Sequence, residues 1–391
     1  MRRTHTHLSL AMTLALTGAA ADASAQPDLC DPEPLATIES STFVRDVEAV
    51  GDVLYVLEDS ILEETETGLR IFDVSDPASP VLLAEYPTPG HASDIAIEGG
   101  IACLADGADG GLLILDVSDP ASPALLGSLA LPSVAVDVQG PLAAAVYGDM
   151  VNLIDVTDPA NPAQVSFFNT GVVNLGVLIH GSTVYVAGGY QGLFTLDLTV
   201  PPIPIFTDQL ATSGPARGLA IASEAQRLYV AQSDGGLLVA DVSFPLLPAL
   251  VDEVDTPGLA RAVAVAGDSL LLADMHTGIE AFDAADPDAP ALAGGFTTPR
   301  SAVSVAASGG FAYVAMNRGG VQVLRLGACP NCAADFAEPY GLLDLADVTA
   351  FVFSFLNPDL DGRAQALAEP HDIADLADVV TFVTSFSAGC P

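Results

Sequence analysis

Four arginines and one histidine are the residues of this sequence whose types could bind and process a ligand. They are Arg45, Arg217, Arg261, Arg300 and His276. A guanidinium group can hold a carboxylate or sulfate through two parallel hydrogen bonds, and a histidine can transfer a proton near neutral pH. The chain has 11 basic residues, all arginine, against 50 Asp and Glu. Arginines gathered in so acidic a chain would predict a site for a small anion or an acidic glycan.

An internal repeat must position these side chains. The segment GLRIFDVSDPASP at 68–80 recurs at 111–123 as GLLILDVSDPASP, with looser copies around Asp155, Asp197, Asp241 and Asp283. Each copy contains four short apolar segments separated by turn residues. In the sixth copy these segments are 261–266, 269–274, 278–283 and 291–296. Four strands in a unit of this length are typical of a β-propeller blade.

The seventh copy, at 320–326, lacks a fourth strand, and the N-terminus supplies a substitute. PLATIESS at 34–41 is similar to PVLLAEY at 80–86, which forms the fourth strand of the first unit. We therefore predict an all-β fold: a seven-bladed propeller over residues 34–327, closed by the N-terminal strand. Closure leaves no long open sheet edge.

The propeller brings the arginines together, because the first strand of each blade lines the central channel. Alignment of the seven first strands gives Arg45, Arg217 and Arg261 one equivalent place and puts Arg300 one residue earlier. Their blades, one, five, six and seven, are neighbours around the ring. His276 lies in a loop expected to open on the same face. The sequence thus predicts a positively charged channel mouth.

An alternative is that acids on the same inner strands neutralise the arginines internally. These acids are Asp46, Asp94 and Asp137. A binding or catalytic site needs arginines that are free of such partners, a vacant pocket and, for catalysis, a histidine or acid within hydrogen-bond reach. Neutralisation of every arginine by these three acids would therefore remove the basis for a ligand site.

Composition excludes several classes of protein, and the N-terminal segment indicates a cellular location. Half of the residues are hydrophobic, which excludes a wholly disordered chain, and the scarcity of basic residues excludes a nucleic-acid binder. Residues 1–25 have a basic start, an apolar stretch at 8–21 and a small-residue cleavage site at 23–25, as in a secretory signal peptide. No later apolar run is long enough to predict a transmembrane segment. We expect a secreted or cell-surface protein with a lead-in at 26–33.

The repeated units resemble the LVIVD repeat, a β-propeller repeat of exported bacterial proteins. The resemblance rests on the pattern Gly-Leu-x-Ile-x-Asp-Val-Ser-Asp-Pro and covers most of residues 34–327. It implies the propeller fold and carries no shared catalytic residue. The Asp and the Ser-Asp-Pro sequence are expected to end the third strand and shape the following turn.

Residues 328–391 have a different character and are similar to a dockerin-type duplicated module. Two acidic loops, each followed by an apolar helical pattern, lie at 334–355 and 366–386, and the chain ends in Gly-Cys-Pro. The resemblance implies a helical module that docks onto a protein partner and binds calcium. Cys332 and Cys390 flank this module, so we predict a disulfide bond between them.

Calcium is therefore the cofactor candidate, although the loops depart from the dockerin pattern. Asp335 fills the first ligand place, but Ala337 and Pro339 occupy the third and fifth. The acids that could supply oxygen ligands are Asp335, Glu338, Asp344, Asp347, Glu369, Asp372, Asp375 and Asp378. The alternative role for the acids at the helix starts is capping, since acids suit a helix N-terminus.

The remaining cysteines bear on ring closure. Cys329 follows the third strand of the last blade and Cys30 precedes the closing strand, so a Cys30–Cys329 disulfide would replace the missing hairpin. The alternative pairing is Cys30–Cys332 with Cys329–Cys390. Cys103 lies in an apolar strand, where we expect it to be buried and free.

These observations favour an exported, non-catalytic binding or scaffold propeller, tethered to a partner or the cell surface through the dockerin-like tail. The alternative is a propeller hydrolase or lyase that acts on an anionic polysaccharide at the arginine-lined mouth, with His276 or an acid transferring the proton. A purely structural surface component is a third hypothesis. The sequence contains no Gly-x-Ser-x-Gly or His-Glu-x-x-His motif.

Overall fold

The computed structural model describes residues 32–59, 68–200 and 203–327. Within these ranges the chain forms seven four-stranded antiparallel sheets, which are the blades of a propeller. Blades one to three contain β2 Phe43–Val50, β3 Val53–Asp59, β4 Gly68–Asp73, β5 Val81–Pro87, β6 Asp94–Glu98, β7 Ile101–Ala105, β8 Leu112–Asp116, β9 Ala124–Leu129, β10 Ala135–Gln139, β11 Leu142–Tyr147, β12 Met150–Asp155 and β13 Ala163–Asn169.

The other four blades follow the same order. They contain β14 Gly176–His180, β15 Thr183–Ala187, β16 Leu193–Asp197, β17 Ile205–Leu210, β18 Leu219–Ala222, β19 Arg227–Ala231, β20 Leu237–Asp241, β21 Ala249–Val254, β22 Ala260–Ala266, β23 Ser269–Asp274, β24 Gly278–Asp283, β25 Ala291–Phe296, β26 Ser304–Ser308, β27 Phe311–Ala315 and β28 Val321–Arg325, with β1 Glu33–Ile38 as the last strand of blade seven. Short helices at Gly107–Gly110 and Asn317–Gly319 follow the second strands of blades two and seven. The strands predicted in the sixth repeat match blade six closely.

The middle strands of each blade form the core, because neighbouring blades cover both of their faces. Every residue of β15 is buried, whereas the outer strand β13 has no buried residue and five exposed ones. Strands buried on both faces carry continuous apolar runs rather than alternating ones. Buried tyrosines also connect blades: the Tyr185 hydroxyl donates to the Pro245 carbonyl of the next blade at 3.0 Å.

The ring is closed by the N-terminal strand, as the sequence predicts. β1 pairs with β28 in antiparallel register, with Ile38 opposite Val321. The Gln322 side chain strengthens this pairing, since its Nε2 donates to the Ala36 carbonyl at 2.8 Å. The first strand therefore completes blade seven from the other end of the chain.

The repeated aspartate ends the third strand of six blades, as expected from the sequence. The carboxylate accepts a hydrogen bond from the backbone N–H two residues later, as at Asp73 with Ser75 (2.9 Å) and Asp116 with Ser118 (3.0 Å). The equivalent bonds are made by Asp155, Asp197, Asp241 and Asp283. The hydrogen bond from the Ser75 hydroxyl, and then that from the Ser75 backbone N–H, hold the pKa of Asp73 below its usual value.

Cys103 is fully buried in β7 and forms no disulfide with any described residue, as expected from the sequence. Burial raises the pKa of its thiol to about 12, so the thiol stays protonated. The other disulfide predictions, the signal peptide and the dockerin-like tail lie outside the described residues. Within the described ranges, no helix has the length and apolar character that a membrane span requires.

Candidate functional site

The first strands of the blades contribute a ring of seven side chains at one end of the channel. We identify the equivalent residue of a blade by its backbone N–H, which donates to a carbonyl of the second strand of the same blade. Examples are Ser93 N–H to the Ala105 carbonyl and Arg217 N–H to the Ala231 carbonyl. The ring, which we call the channel ring, consists of Arg45, Ser93, Val134, Leu175, Arg217, Arg261 and Val303, all of which line one cavity of about 580 Å³. Three arginines that the sequence predicts to be equivalent therefore do converge.

Two of these arginines occupy β-bulges. The pairing of β2 with β3 shifts register between Val44 and Asp46, and the pairing of β22 with β23 shifts between Ala260 and Ala262. Arg45 and Arg261 are thus the extra residues. A bulge leaves one residue unpaired and changes the direction of its side chain, which is how a strand that packs against its neighbours can present a charge to the channel.

Arg45 is the channel-ring arginine with a carboxylate partner. Its Nη2 and Nε lie 2.7 and 3.0 Å from Asp59 Oδ2. The other oxygen of Asp59 lies 2.8 Å from His91 Nδ1. Asp59 is almost fully buried and joins blade one to blade two, whereas His91 is exposed and lines the cavity. An arginine, an acid and a histidine therefore meet at the channel mouth.

Arg217 and Arg261 have no carboxylate within ion-pair distance among the described residues. Arg217 Nε donates to the Ser233 hydroxyl at 2.7 Å, and Arg261 Nη1 lies 3.9 Å from the Met275 sulfur. Burial, and then the charges of Arg217 and Arg45, hold the pKa of Arg261 below its usual value. Arg261 therefore experiences the positive charges of Arg217 and Arg45, and an anion bound beside it would relieve that repulsion.

The inner-strand acids do not neutralise the arginines, so that alternative is wrong. Each acid instead accepts a hydrogen bond from the backbone N–H of the next blade. The pairs are Asp46 with Ile95 (3.0 Å), Asp94 with Val136 (2.7 Å) and Asp137 with Ile179 (2.6 Å). A carboxylate oxygen between two inner strands satisfies a backbone donor that no sheet bond reaches. These aspartates connect blades one to four.

Burial in the channel makes its acids harder to ionise. Burial raises the pKa of Asp94 well above its usual value, and the adjacent Asp46 charge raises it further. Burial, with the charges of Asp46 and Asp137, also raises the pKa of Glu48 to about 8. Burial raises the pKa of Asp137 to about 6. At neutral pH the channel wall therefore carries less negative charge than its carboxyl count suggests. The acids then offset less of the positive charge of the arginines at the channel mouth.

Arg300 and His276 lie elsewhere than the sequence alignment suggests. In blade seven the channel-ring place belongs to Val303, whose N–H donates to Ala315, so Arg300 precedes it by three residues rather than one. Arg300 is exposed beside Arg318 and Asn317. His276 is exposed in the turn after β23 and does not line the 580 Å³ cavity.

Sequence reasoning missed the roles of Asp59 and His91. The signal that could have found Asp59 is its place at the end of the second strand of blade one, 14 positions after Arg45. His91 gave no such signal, since its contact with Asp59 crosses from one blade to the next. Among the described residues, no three His, Cys, Asp or Glu side chains are grouped as metal ligands. The proposed calcium ligands lie outside the described ranges.

The Asp59–His91 contact gives a direct titration prediction. The hydrogen bond to Asp59, and then its charge, raise the pKa of His91 above the usual value. Replacing Asp59 with asparagine should lower the pKa of His91, measured by NMR titration of the ring protons. Replacing Asp109 with asparagine should change it less, because Asp109 contributes a smaller charge effect. Equal pKa values in the wild type and the Asp59 variant would contradict this contact.

The fold and site define a seven-bladed β-propeller with an arginine-lined channel mouth. The chain carries LVIVD repeats: the family model described as LVIVD repeat matches residues 44–88, 89–130, 226–256 and 299–324. The sequence-based assignment of this repeat is thereby confirmed. Comparison of the sequence with curated proteins finds no match.

Solved propellers share the fold at low sequence identity. The WD40 repeats of RRP9 superpose with a TM-score of 0.60 at 12% identity, covering 76% of this chain and 99% of that one. The WD40 propeller domain of Doa1 gives 0.60 at 11%, covering 75% and 96%. The computationally designed Ika8 protein gives 0.54 at 8%, covering 75% and 99%. These similarities concern the fold alone.

Proposed function

We propose that this protein is an exported, non-catalytic binding protein that holds an anionic carbohydrate at the channel mouth. The observation that carries the proposal is the pair Arg217 and Arg261. These arginines come from adjacent blades, face the 580 Å³ cavity and have no carboxylate partner among the described residues. A guanidinium pair of this kind suits the carboxylate or sulfate of a ligand.

The rest of the cavity favours a sugar acid over a simple anion. Asp59, Asp46 and Asp94 line the same cavity as the arginines. Carboxyl oxygens accept hydrogen bonds from hydroxyl groups, and a protonated carboxyl can also donate one, whereas a bare sulfate offers no hydroxyl. A uronic acid carries one carboxylate for the arginines and several hydroxyls for the acids. An acidic peptide offers the carboxylates without the row of hydroxyls.

Calorimetric titration with galacturonate, and with neutral galactose as the matched ligand, tests the proposal. We expect galacturonate to bind and galactose not to bind. Each of the variants Arg217→Gln and Arg261→Gln should lower the affinity for galacturonate by about 10- to 100-fold, which is the effect of losing a hydrogen bond to a charged group. Arg325→Gln is the control, because Arg325 lies on β28 near Glu33. The triple variant Glu63→Gln, Glu64→Gln, Glu66→Gln tests whether acids outside the described residues compete for the arginines. Absence of binding by any uronate, including to this triple variant, would contradict the proposal.

Export and tethering form the second part of the proposal and rest on the sequence. Residues 1–25 would direct export, and residues 328–391 would dock onto a protein partner, with calcium as a candidate cofactor. Pull-down with the full chain should recover a partner that a chain ending at residue 327 does not recover. Chelation of calcium should reduce recovery if the acidic loops bind the ion. Equal recovery by both chains would contradict docking through the tail.

A second candidate function is a lyase or hydrolase acting on an acidic polysaccharide. The observation in its favour is the Asp59–His91 contact, because an acid that orients a histidine at a cavity can support proton transfer. His91 replaces His276 in this hypothesis, since His276 lies outside the cavity. Incubation with polygalacturonate should release new reducing ends, and His91→Gln should abolish the release. If the wild type releases no reducing ends, the enzymatic hypothesis is contradicted and only the binding function remains.

A further inference from the structure

A second pair of arginines lies outward of the channel ring, on blade seven. Arg300 precedes β26, and Arg318 lies in the short helix between β27 and β28. Both are exposed, and they line a cavity of about 300 Å³ together with Ser301 and Asn317. Neither has a carboxylate within ion-pair distance in the described part of the chain. We call Arg300 and Arg318 the rim pair.

The rim pair is continuous with the channel ring. The Arg318 guanidinium carbon lies 4.2 Å from the centre of the Phe43 ring, and the Arg45 guanidinium carbon lies 5.2 Å from the same point. Asn317 lines both cavities, and its Oδ1 is buried without a hydrogen-bond partner among the described residues. A ligand that extends from the channel ring would therefore pass Phe43 and Asn317 before it reaches the rim pair.

The other arginines show how unusual this grouping is. Arg70 contacts Glu58 and Glu85, Arg227 contacts Asp241 and Asp288, and Arg325 contacts Glu33. A chain with 50 acids offers such partners readily. The described arginines without a carboxylate partner are Arg217, Arg261, Arg300 and Arg318, and all four line the two cavities that share Asn317. Among the described residues, positive charge is thus left without a carboxylate partner on one face of an acidic propeller, where it can hold an anion through short-range contacts.

The side-chain stem of Arg300 packs against Gly319. A Cβ added at Gly319 would lie 2.8 Å from Arg300 Cγ and 3.1 Å from its Cβ. The side-chain stem of Arg300 therefore lies directly over this glycine, and the glycine provides the space. A larger residue at this position would displace the stem without removing any charge.

We infer that the channel ring and the rim pair form two subsites of one site, which takes a linear acidic oligosaccharide carrying a charge at each end of the occupied stretch. The inference rests on the proposed function, since the inner subsite is the Arg217–Arg261 pair. One acidic sugar occupies the channel ring, and a later sugar of the same chain places its carboxylate at the rim pair. Two linked contacts give an affinity that a single sugar acid cannot reach.

Calorimetric titration with galacturonate and with its oligomers of two to six sugars tests the inference on the full chain. We expect affinity to rise by about 10-fold or more once the oligomer spans both subsites. The double variant Arg300→Gln, Arg318→Gln should remove that gain and leave galacturonate binding unchanged. Gly319→Ala should reduce the gain while keeping every charge. Arg325→Gln is the charge-matched control and should change neither affinity.

The outcomes separate this inference from the proposed function. If galacturonate binds through Arg217 and Arg261 but no oligomer binds more tightly, the two-subsite inference is overturned and the proposed function stands. The same holds if the oligomer gain survives the double variant. If neither galacturonate nor any oligomer binds, both fail. Circular dichroism and thermal unfolding of each variant establish that the propeller is intact before the affinities are compared.

Discussion

Replacement of Gly320 with alanine should destabilise the propeller more than replacement of Gly310 with alanine in the same blade. Gly320 adopts a φ of +76°, and an added Cβ would collide with the Ile38 carbonyl oxygen and lie 3.1 Å from the Ser40 nitrogen. These atoms belong to the end of β1 and the residues after it. The closing strand must therefore move away from β28. We expect a loss of about 3–5 kcal/mol in the free energy of unfolding, as for severe overpacking combined with backbone strain.

Gly310 provides the matched control, since it lies in the same blade with a φ of +83° and nothing within 4 Å of an added Cβ. Gly310→Ala should cost only the backbone strain of a left-handed residue, about 1–2 kcal/mol. Urea unfolding of both variants measures the difference. Equal losses would show that contact with β1 contributes little and that ring closure is not the weak point we infer.

The second large effect concerns pH. Burial and neighbouring acids raise the pKa of Glu48 from 4.5 to about 8 in the folded protein. The folded state therefore holds a proton that the unfolded state releases, so the free energy of unfolding falls as the pH rises from 4.5 to 8. Between pH 5 and pH 8 we expect Glu48 alone to remove about 3 kcal/mol. Replacing Glu48 with glutamine should abolish this part of the pH dependence.

Thermal and urea unfolding at several pH values measure this effect. Asp137, with a pKa of about 6, and Glu280, with a pKa of about 7, should keep a smaller slope of the same sign in the variant. Glu224→Gln is the control, because Glu224 is exposed. An unchanged pH slope in Glu48→Gln would show that water reaches this carboxyl in the channel.

The turn aspartates act in the opposite direction at low pH. Hydrogen bonds from Ser118, Thr157 and Ser243 hold the pKa values of Asp116, Asp155 and Asp241 below their usual range. Their contribution to stability is present above the unfolded pKa and is lost as the pH falls through the folded pKa. Together, the buried and the exposed acids predict greatest stability in weakly acidic solution.

Much of the fold could be predicted because its information is local and repeated. A strand pattern and an Asp-ended turn that recur from one repeat to the next specify one blade, and seven copies specify the ring. The missing fourth strand after 320–326 and the similar segment at the N-terminus were enough to predict closure. Equivalent positions in the repeats likewise predicted that Arg45, Arg217 and Arg261 converge.

Errors occurred where a side chain's partner belongs to another blade or to a loop. Asp46 lies beside Arg45 in sequence but bonds to the backbone of blade two, because an unsatisfied buried N–H there is costly. Alignment of the repeats puts Arg300 one residue from the ring, whereas it lies three residues before Val303, because the length of the loop before β26 does not follow the repeat. The contact of His91 with Asp59 joins two blades and leaves no trace in spacing.

The sequence by itself therefore determined the blades, their number, their order and the strand that closes the ring. These follow from hydrophobic periodicity and turn chemistry, which act within a single repeat. The tertiary structure alone decided which arginines keep a carboxylate partner and which face an open cavity. Pairing of charges depends on distances between blades and on bulges that turn Arg45 and Arg261 into the channel, and a linear sequence records neither.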